Sequence, residues 1–167
     1  EAAKFSPTGG NQQNNHFIVI RSGIDEIRKI AIETLFEAAN GDPARLKGME
    51  QYKLTWQKLY KDYTENGIDK LFYDAPCVVV ITSSDKGGNG GVNAGIAASR
   101  MELTANSMGL GICYIGFLRR AAMFNPSLKE MLGIKEDQEF ELSFVLGYSD
   151  SEYFRTVDRK EPDVKYI

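Results

Sequence analysis

The chain has 167 residues, of which 43% are hydrophobic and 26% charged, and its formal net charge is -3. This length and composition predict one globular domain over residues 1–167, with a core of its own. The mildly acidic balance gives no reason to expect nucleic acid or an anionic membrane as a partner. The sequence also has no apolar run of about 18 residues, so we expect no membrane span.

The two cysteines, Cys77 and Cys113, both lie in apolar runs. We therefore expect buried free thiols, which favours a cytoplasmic location. Neither cysteine has metal-ligand spacing to the other or to His16, so we expect no metal site. The chain begins without Met, in a pattern typical of the last turn of a helix, and we expect that an N-terminal segment is missing.

Strands and helices alternate irregularly along the chain. Strands are predicted at residues 16–21, 75–82, 112–115 and 140–147, and the unbroken β-branched run at 78–82 predicts a central strand. Helices are predicted at about 24–40, 42–63, 93–108, 118–124 and 126–132. This order favours an α+β or mixed α/β domain over a regular doubly wound sheet.

The first candidate binding segment is the loop at residues 6–13, directly before the first strand. Side-chain amides are crowded here, and each amide both donates and accepts hydrogen bonds. That chemistry suits a flat heterocycle whose edge alternates C=O and N–H, such as the pyrimidine side of a flavin. Gly9 and Gly10 would let the backbone approach a ligand closely. The alternative is a polar turn between a helix and a strand.

The second candidate segment is the glycine-rich corner at residues 109–116. Gly109 and Gly111 permit a tight reversal from a helix into a strand, and Gly116 leaves backbone N–H groups near Ile115 bare. A bare N–H aimed at a flavin nitrogen would tune its electronics.

The third candidate is the basic pair Arg159 and Lys160, which suits a phosphate. The alternative for the corner at 109–116 is an ordinary connection between a helix and a strand. The alternative for the basic pair is ordinary surface charge.

The glycine-rich stretch at residues 87–95 follows a strand and precedes a helix, where a dinucleotide fingerprint would lie. The spacing fails, because Asn93 stands where the third glycine is needed, and no Gly-Lys-Ser/Thr follows. We expect a mobile surface loop. His16 is expected to be structural. No set of side chains forms a catalytic constellation, which favours a cofactor that carries the chemistry itself.

In this order and spacing, the segments resemble the nitroreductase family of FMN-dependent oxidoreductases. The resemblance covers nearly the whole chain and is carried by residues 3–13 before 17–20, then 74–80, 93–105, 109–116, 132–135 and 144–148. It departs from the family at Asn14 and Asn15, where many members have Pro-Trp, and at Ser149 in place of Pro. The family's short basic segment that grips the FMN phosphate would lie before Glu1.

The resemblance implies an α+β fold with a mixed sheet flanked by helices, and an intertwined homodimer with FMN at its interface. It implies ping-pong transfer of reducing equivalents from NAD(P)H, or another donor such as ferredoxin, to a nitroaromatic, quinone or similar small aromatic acceptor. No side chain is expected to be catalytic, since the flavin carries the chemistry. The residues implied to contact FMN are Ser6, Pro7, Thr8, Asn11, Gln13, Tyr114, Ile115, Gly116, Arg159 and Lys160.

Two alternatives stay open. A same-fold flavin enzyme could use reduced flavin for dehalogenation or flavin breakdown, with a substrate lid between residues 42 and 71. A non-catalytic nucleotide or small-molecule binding module could instead use residues 87–91.

Overall fold

The computed structural model describes residues 1–84, 88–151, 154–155 and 157–167. In that part of the chain the strands are β1 (Asn15–Ile20), β2 (Cys77–Ser83), β3 (Gly111–Tyr114) and β4 (Glu139–Gly147). The α-helices are α1 (Ile24–Asn40), α2 (Lys53–Asn66), α3 (Gly90–Ser107), α4 (Phe117–Phe124) and α5 (Pro126–Met131). Short 3-10 turns cover Ala2–Phe5, Gly9–Asn11, Pro43–Leu46 and Glu50–Tyr52.

The strands form one sheet in the order β1-β2-β4-β3. Every pairing among the described strands is antiparallel. Strand β2 lies between β1 and β4, and Val78, Val79 and Val80 are all buried. The predicted central strand is therefore confirmed, and its apolar run is explained because a central strand covered by helices presents both faces to a core.

Helices cover both faces of the sheet. Successive strand residues point to opposite faces of the sheet. Alternate residues of β2 therefore belong to two different hydrophobic cores, one on each face. Val79 and Ile81 pack with Phe144 and the small residues of α3 (Ala94, Ala97, Ala98). Val78 and Val80 pack on the other face with α1 and α4. The small side chains of α3 allow that helix to lie close to the sheet.

The α+β class with a sheet flanked by helices is confirmed, whereas the expected mixed sheet is antiparallel throughout its described strands. The thiols expected to be buried are not, because Cys77 is half-buried and Cys113 is exposed. The predicted helix at residues 42–63 is wrong in its first part, because two 3-10 turns precede α2. Gly48 has φ of 78°, a left-handed conformation that interrupts a helix. Helix α3 begins at Gly90, three residues before its predicted start.

Two features are absent from the described residues, namely a membrane-spanning helix and a cluster of metal ligands. No helix there combines the length and apolar character needed to cross a membrane. No group of three or more His, Cys, Asp or Glu side chains there is arranged to hold a metal ion.

Candidate functional site

A groove with a volume of about 690 Å³ lies on the α3 face of the sheet, beside β1. Its size is within the range of about 300–1,000 Å³ that is usual for ligand sites. The groove is bounded by the loop before β1, strand β1 itself and the second half of α3. It is lined by Glu1, Ala2, Ala3, Lys4, Ser6, Thr8, Gln13, Asn15, Phe17, Val19, Met101, Thr104, Ala105, Met108, Leu110 and Leu146.

Three of the predicted residues, Ser6, Thr8 and Gln13, line this groove together. Pro7 and Asn11 belong to the same loop but are exposed and do not line it. The loop is folded on itself, because the Thr8 hydroxyl accepts a hydrogen bond from the Gln13 backbone N–H at 2.9 Å. Asn11 and Gln13 both have φ of 53°. Such a conformation is uncommon outside glycine and often marks a functional loop.

Asn93 of α3 holds this loop against the rest of the fold. Its side-chain oxygen accepts a hydrogen bond from the Gly9 backbone N–H at 3.0 Å, and its amide nitrogen donates to the Asn14 side-chain oxygen at 3.3 Å. Asn93 is buried. We did not predict this role from the sequence. The available signal was an amide side chain within the first turn of a helix otherwise rich in small residues.

Two polar atoms at the groove have no hydrogen-bond partner in the described part of the chain. They are the Ser6 hydroxyl oxygen and the Asn15 side-chain oxygen, and both are buried. Leaving such an atom unpaired costs about 1–3 kcal/mol. A polar ligand in the groove could pair with either oxygen only after a small shift of the loop that exposes it, because both are withdrawn from the surface. Asn15 was not among the predicted binding residues, although it belongs to the amide-rich stretch.

The predicted glycine-rich corner lies at a second, smaller cavity of about 250 Å³. Of the backbone N–H groups near Ile115 that were expected to be bare, the one of Ile115 itself is not, because it donates to the Ser143 carbonyl at 2.9 Å. Gly116 leaves open space, since nothing lies within 4 Å of the position that a Cβ would take. The cavity is lined by Tyr52, Lys70, Leu71, Tyr73, Tyr114, Ile115, Gly116, Phe117 and Arg120.

Tyr114 links this corner to α3. Its hydroxyl donates to a carboxylate oxygen of Glu102 at 2.9 Å. Burial, followed by the hydrogen bond and negative charge of Glu102, raises the pKa of Tyr114 to about 12. The side chain is therefore a protonated phenol at neutral pH, and 47% of it remains exposed to solvent.

The cationic wall of the smaller cavity consists of Arg120 and Lys70. Arg120 donates to the Tyr52 hydroxyl at 3.2 Å, and its guanidinium carbon lies 4.3 Å from the centre of the same ring. Lys70 pairs with Asp62 at 2.6 Å. In the described part of the chain, no carboxylate lies within 4.0 Å of the Arg120 nitrogens. No carboxylate is among the residues that line the cavity.

The loop before β2 is fixed by the buried carboxylate of Asp69. This carboxylate accepts backbone hydrogen bonds from Leu71, Phe72 and Asp74 at 2.9–3.0 Å. It also pairs with Arg28 of α1 at 2.9 Å. These bonds hold Leu71 and the exposed Tyr73 at the smaller cavity.

The predicted residues are not all brought together within one chain. Arg159 and Lys160 are exposed, lie outside regular structure and line neither of the two cavities. The loop and the corner each line a cavity of their own. The assignment of these residues to one binding site therefore stays a prediction.

The glycine-rich stretch before α3 shows a steric role at Gly90. A Cβ on this buried residue would collide with the Ser83 hydroxyl and a Glu141 carboxylate oxygen. These two atoms form a hydrogen bond of 2.7 Å. Gly90 therefore accommodates a polar contact between β2 and β4. Gly87, the first residue of the stretch predicted as a mobile loop, lies outside the described residues.

Solved structures similar to this chain are flavoproteins by their descriptions. A nitroreductase with bound FMN from Bacteroides fragilis NCTC 9343 has a TM-score of 0.76 and 18% identity, over 99% of this chain and 82% of the other. One from Desulfitobacterium hafniense DCB-2, also with bound FMN, has a TM-score of 0.69 and 25% identity over the same shares. Oxidised iodotyrosine deiodinase bound to FMN and 3-iodo-L-tyrosine has a TM-score of 0.66 and 18% identity, again over 99% of this chain and 82% of the other.

A search of curated proteins found no match to the sequence. A sequence profile described as the Nitroreductase family matches residues 1–148, which is most of the chain. The resemblance inferred from the motifs is therefore confirmed. The chain belongs to the nitroreductase family.

Proposed function

We propose that this protein is an FMN-dependent oxidoreductase that transfers reducing equivalents from NAD(P)H to a small aromatic acceptor, such as a nitroaromatic or a quinone. The observation that carries the proposal is a cofactor-sized groove of about 690 Å³ whose lining includes the hydroxyl and amide side chains of Ser6, Thr8 and Gln13. Family membership and the FMN-bound structures of similar fold support the choice of flavin.

The residues at the groove fit the chemistry of FMN. Ser6, Thr8, Gln13 and Asn15 provide hydroxyl and amide groups, which can donate and accept along a heterocycle edge that alternates C=O and N–H. Phe17 and Val19 provide an apolar wall for a ring system. Asn93 orients the loop through Gly9 and Asn14. The chemistry that FMN supplies when bound is two-electron transfer between a nicotinamide donor and an acceptor.

The overall reaction balances without a further reactant. For a nitroaromatic, NAD(P)H and one proton convert the nitro group to a nitroso group and water, and NAD(P)⁺ is released. For a quinone, the same two electrons and two protons give the hydroquinone. The chain's own residues bind and orient both reactants, and no side chain needs to carry electrons.

We propose a homodimer as the active form. Strand β1 is an edge strand of the sheet, and its groove-facing residues Phe17 and Val19 remain 38% and 58% exposed. Met108, which lines the groove directly after α3, is also exposed, as is Leu103 of α3. Contiguous apolar surface of this kind marks an interaction site. A partner subunit would cover it, and Arg159 and Lys160 would then approach the partner's phosphate site.

A second candidate activity is reductive dehalogenation in the same fold. It is favoured by the smaller cavity, because Tyr52, Lys70 and Leu71 come from the segment at 42–71 that was predicted as a possible lid. The fold shared with iodotyrosine deiodinase supports the comparison at the level of fold alone.

The proposal is tested by assaying NADPH and NADH oxidation with the purified, FMN-loaded protein. A nitroaromatic, a quinone and a halophenol are supplied as separate acceptors. The proposal expects oxidation that depends on both FMN and an acceptor, with nitroaromatic or quinone preferred. Turnover of the halophenol alone would favour the second candidate, and no turnover of any acceptor with either donor would contradict both.

A further inference from the structure

We propose that the smaller cavity selects an aromatic acceptor that carries a carboxylate, with Arg120 as the residue that binds the anionic group. This inference rests on the proposed function, since it names the class of acceptor that the enzyme would reduce. It also rests on the proposed homodimer, because the groove beside β1 and the smaller cavity lie at opposite edges of the sheet in one chain, and the partner's FMN would have to lie at this cavity. It starts from the charge of the cavity. Two cations, Arg120 and Lys70, line it, and no carboxylate does.

Arg120 is available to a ligand in a way that Lys70 is not. Lys70 already bonds Asp62 at 2.6 Å. The guanidinium of Arg120 has only the neutral hydroxyl and ring of Tyr52 as its described side-chain partners. A guanidinium presents five N–H donors, so several remain for a carboxylate, which it can bind in a bidentate manner. The half-buried position of Arg120 makes such a contact stronger than one in open solvent.

Tyr52 positions this guanidinium. The hydroxyl accepts one N–H, and the ring lies beneath the charged group. Tyr52 itself is held at the start of α2, where its ring stacks on the buried Trp56 at 5.8 Å between centroids. The charged group is therefore supported by the aromatic core and lies at the cavity wall in a defined orientation.

The rest of the cavity suits an aromatic ring. Tyr73, Tyr114 and Phe117 line it, and Gly116 opens one side. The volume of about 250 Å³ is below the usual range for drug-sized ligands, so a compound with one ring fits better than a dinucleotide. The Tyr114 hydroxyl donates a hydrogen bond to Glu102, so this ring offers a polar but uncharged surface.

The first test compares para-nitrobenzoate with its methyl ester as acceptors of the FMN-loaded protein. The two share the ring and the nitro group, and only the acid carries a negative charge. We expect a KM for the acid that is lower by roughly 10- to 100-fold, the range of one charge-assisted contact. Raising the salt concentration should narrow this difference, because added ions screen the attraction. An acid that is no better than its ester would overturn the proposal.

Variants then assign the effect to Arg120. Arg120→Gln should raise the KM for the acid toward that of the ester and leave the ester unchanged, and Arg120→Lys should keep part of the preference. Arg100→Gln is the matched control, since Arg100 is an exposed cation of α3 that lines neither cavity. An equal loss for acid and ester in Arg120→Gln, or an equal preference in all variants, would overturn the assignment.

Equilibrium dialysis of both compounds against flavin-free protein separates this proposal from the proposed function. Arg120-dependent retention of the acid by a protein that never binds FMN would sustain the anion site and contradict the flavin enzyme. FMN-dependent turnover with no preference for the acid would sustain the enzyme and contradict the anion site.

Discussion

The side chain of Asn93 accepts a hydrogen bond from the backbone N–H of Gly9 at 3.0 Å, across 84 positions of sequence. This contact fastens the loop before β1 to the first turn of α3. The loop carries the groove residues Ser6, Thr8 and Gln13. The shape of the proposed flavin site therefore depends on one buried amide in a different element.

Asn93→Ala is expected to weaken FMN binding although Asn93 does not line the groove. The variant removes the acceptor of the Gly9 N–H and the donor to Asn14, at a cost of about 1–3 kcal/mol in the free energy of unfolding. Urea denaturation measures the loss of stability, and FMN titration measures the loss of affinity. Asn106→Ala, an exposed residue of the same helix, is the control. Equal FMN affinities for both variants would show that the contacts of Asn93 with Gly9 and Asn14 do not shape the site.

Gly90→Ala is expected to lower the free energy of unfolding, and Gly95→Ala, in the same helix α3, is expected to raise it. A Cβ at Gly90 would strike Ser83 and Glu141, whereas a Cβ at Gly95 meets nothing within 4 Å. Overpacking costs about 1–3 kcal/mol, and replacing a helical glycine by alanine gains about 0.5–1 kcal/mol. Thermal or urea unfolding of the two variants measures these changes in stability. A stable Gly90→Ala protein would contradict the steric role of this glycine.

Asp69→Ala is expected to destabilise the fold strongly. The buried carboxylate accepts three backbone N–H groups and pairs with Arg28. Removing one partner of a buried pair costs about 3–5 kcal/mol. Asp62→Ala removes a carboxylate at a more exposed pair with Lys70 and should have a small effect. Urea unfolding of both variants tests this, and comparable losses would mean that Asp69 does not anchor the loop.

Tyr114 is expected to titrate at higher pH than an ordinary tyrosine. Its pKa is raised from 10.0 to about 12. Below about pH 10 both the folded and unfolded chains keep the proton, so this group adds no pH dependence. Between pH 10 and about 12 the unfolded chain loses the proton first, and stability falls as pH rises.

The ultraviolet absorbance of tyrosinate measures this titration, with Tyr114→Phe subtracted to isolate the one residue. Glu102→Gln should lower the pKa of Tyr114, because it removes the negative charge that opposes ionisation. A difference spectrum that titrates near the ordinary value in the wild-type chain would contradict the described contact.

The fold was predictable wherever a local pattern determines burial. The β-branched run of β2 predicts a strand covered on both faces, and the small residues of α3 predict a helix that packs closely. The region at 42–63 was predicted less well. Its apolar spacing is helical, but Gly48 adopts φ of 78° and the segment breaks into two turns before α2.

The groove was predictable in part. The crowded amides identified the loop that supplies Ser6, Thr8 and Gln13. The role of Asn93 was not predictable, because its partners lie more than 75 positions away and come together only through packing of α3 on the sheet. Arg120 and Tyr52 were missed for the same reason. They meet only where α4 lies against the start of α2.

The groove beside β1, with Ser6 and Asn15 in its lining, is the proposed FMN site. Titration of FMN into flavin-free protein, followed by quenching of flavin fluorescence, tests it most directly. The account predicts saturation at about one FMN per chain, and a loss of about 1–3 kcal/mol of binding free energy in Asn15→Ala but none in Asn106→Ala. Absence of saturable binding, or equal affinities for the wild type and Asn15→Ala, would contradict the account.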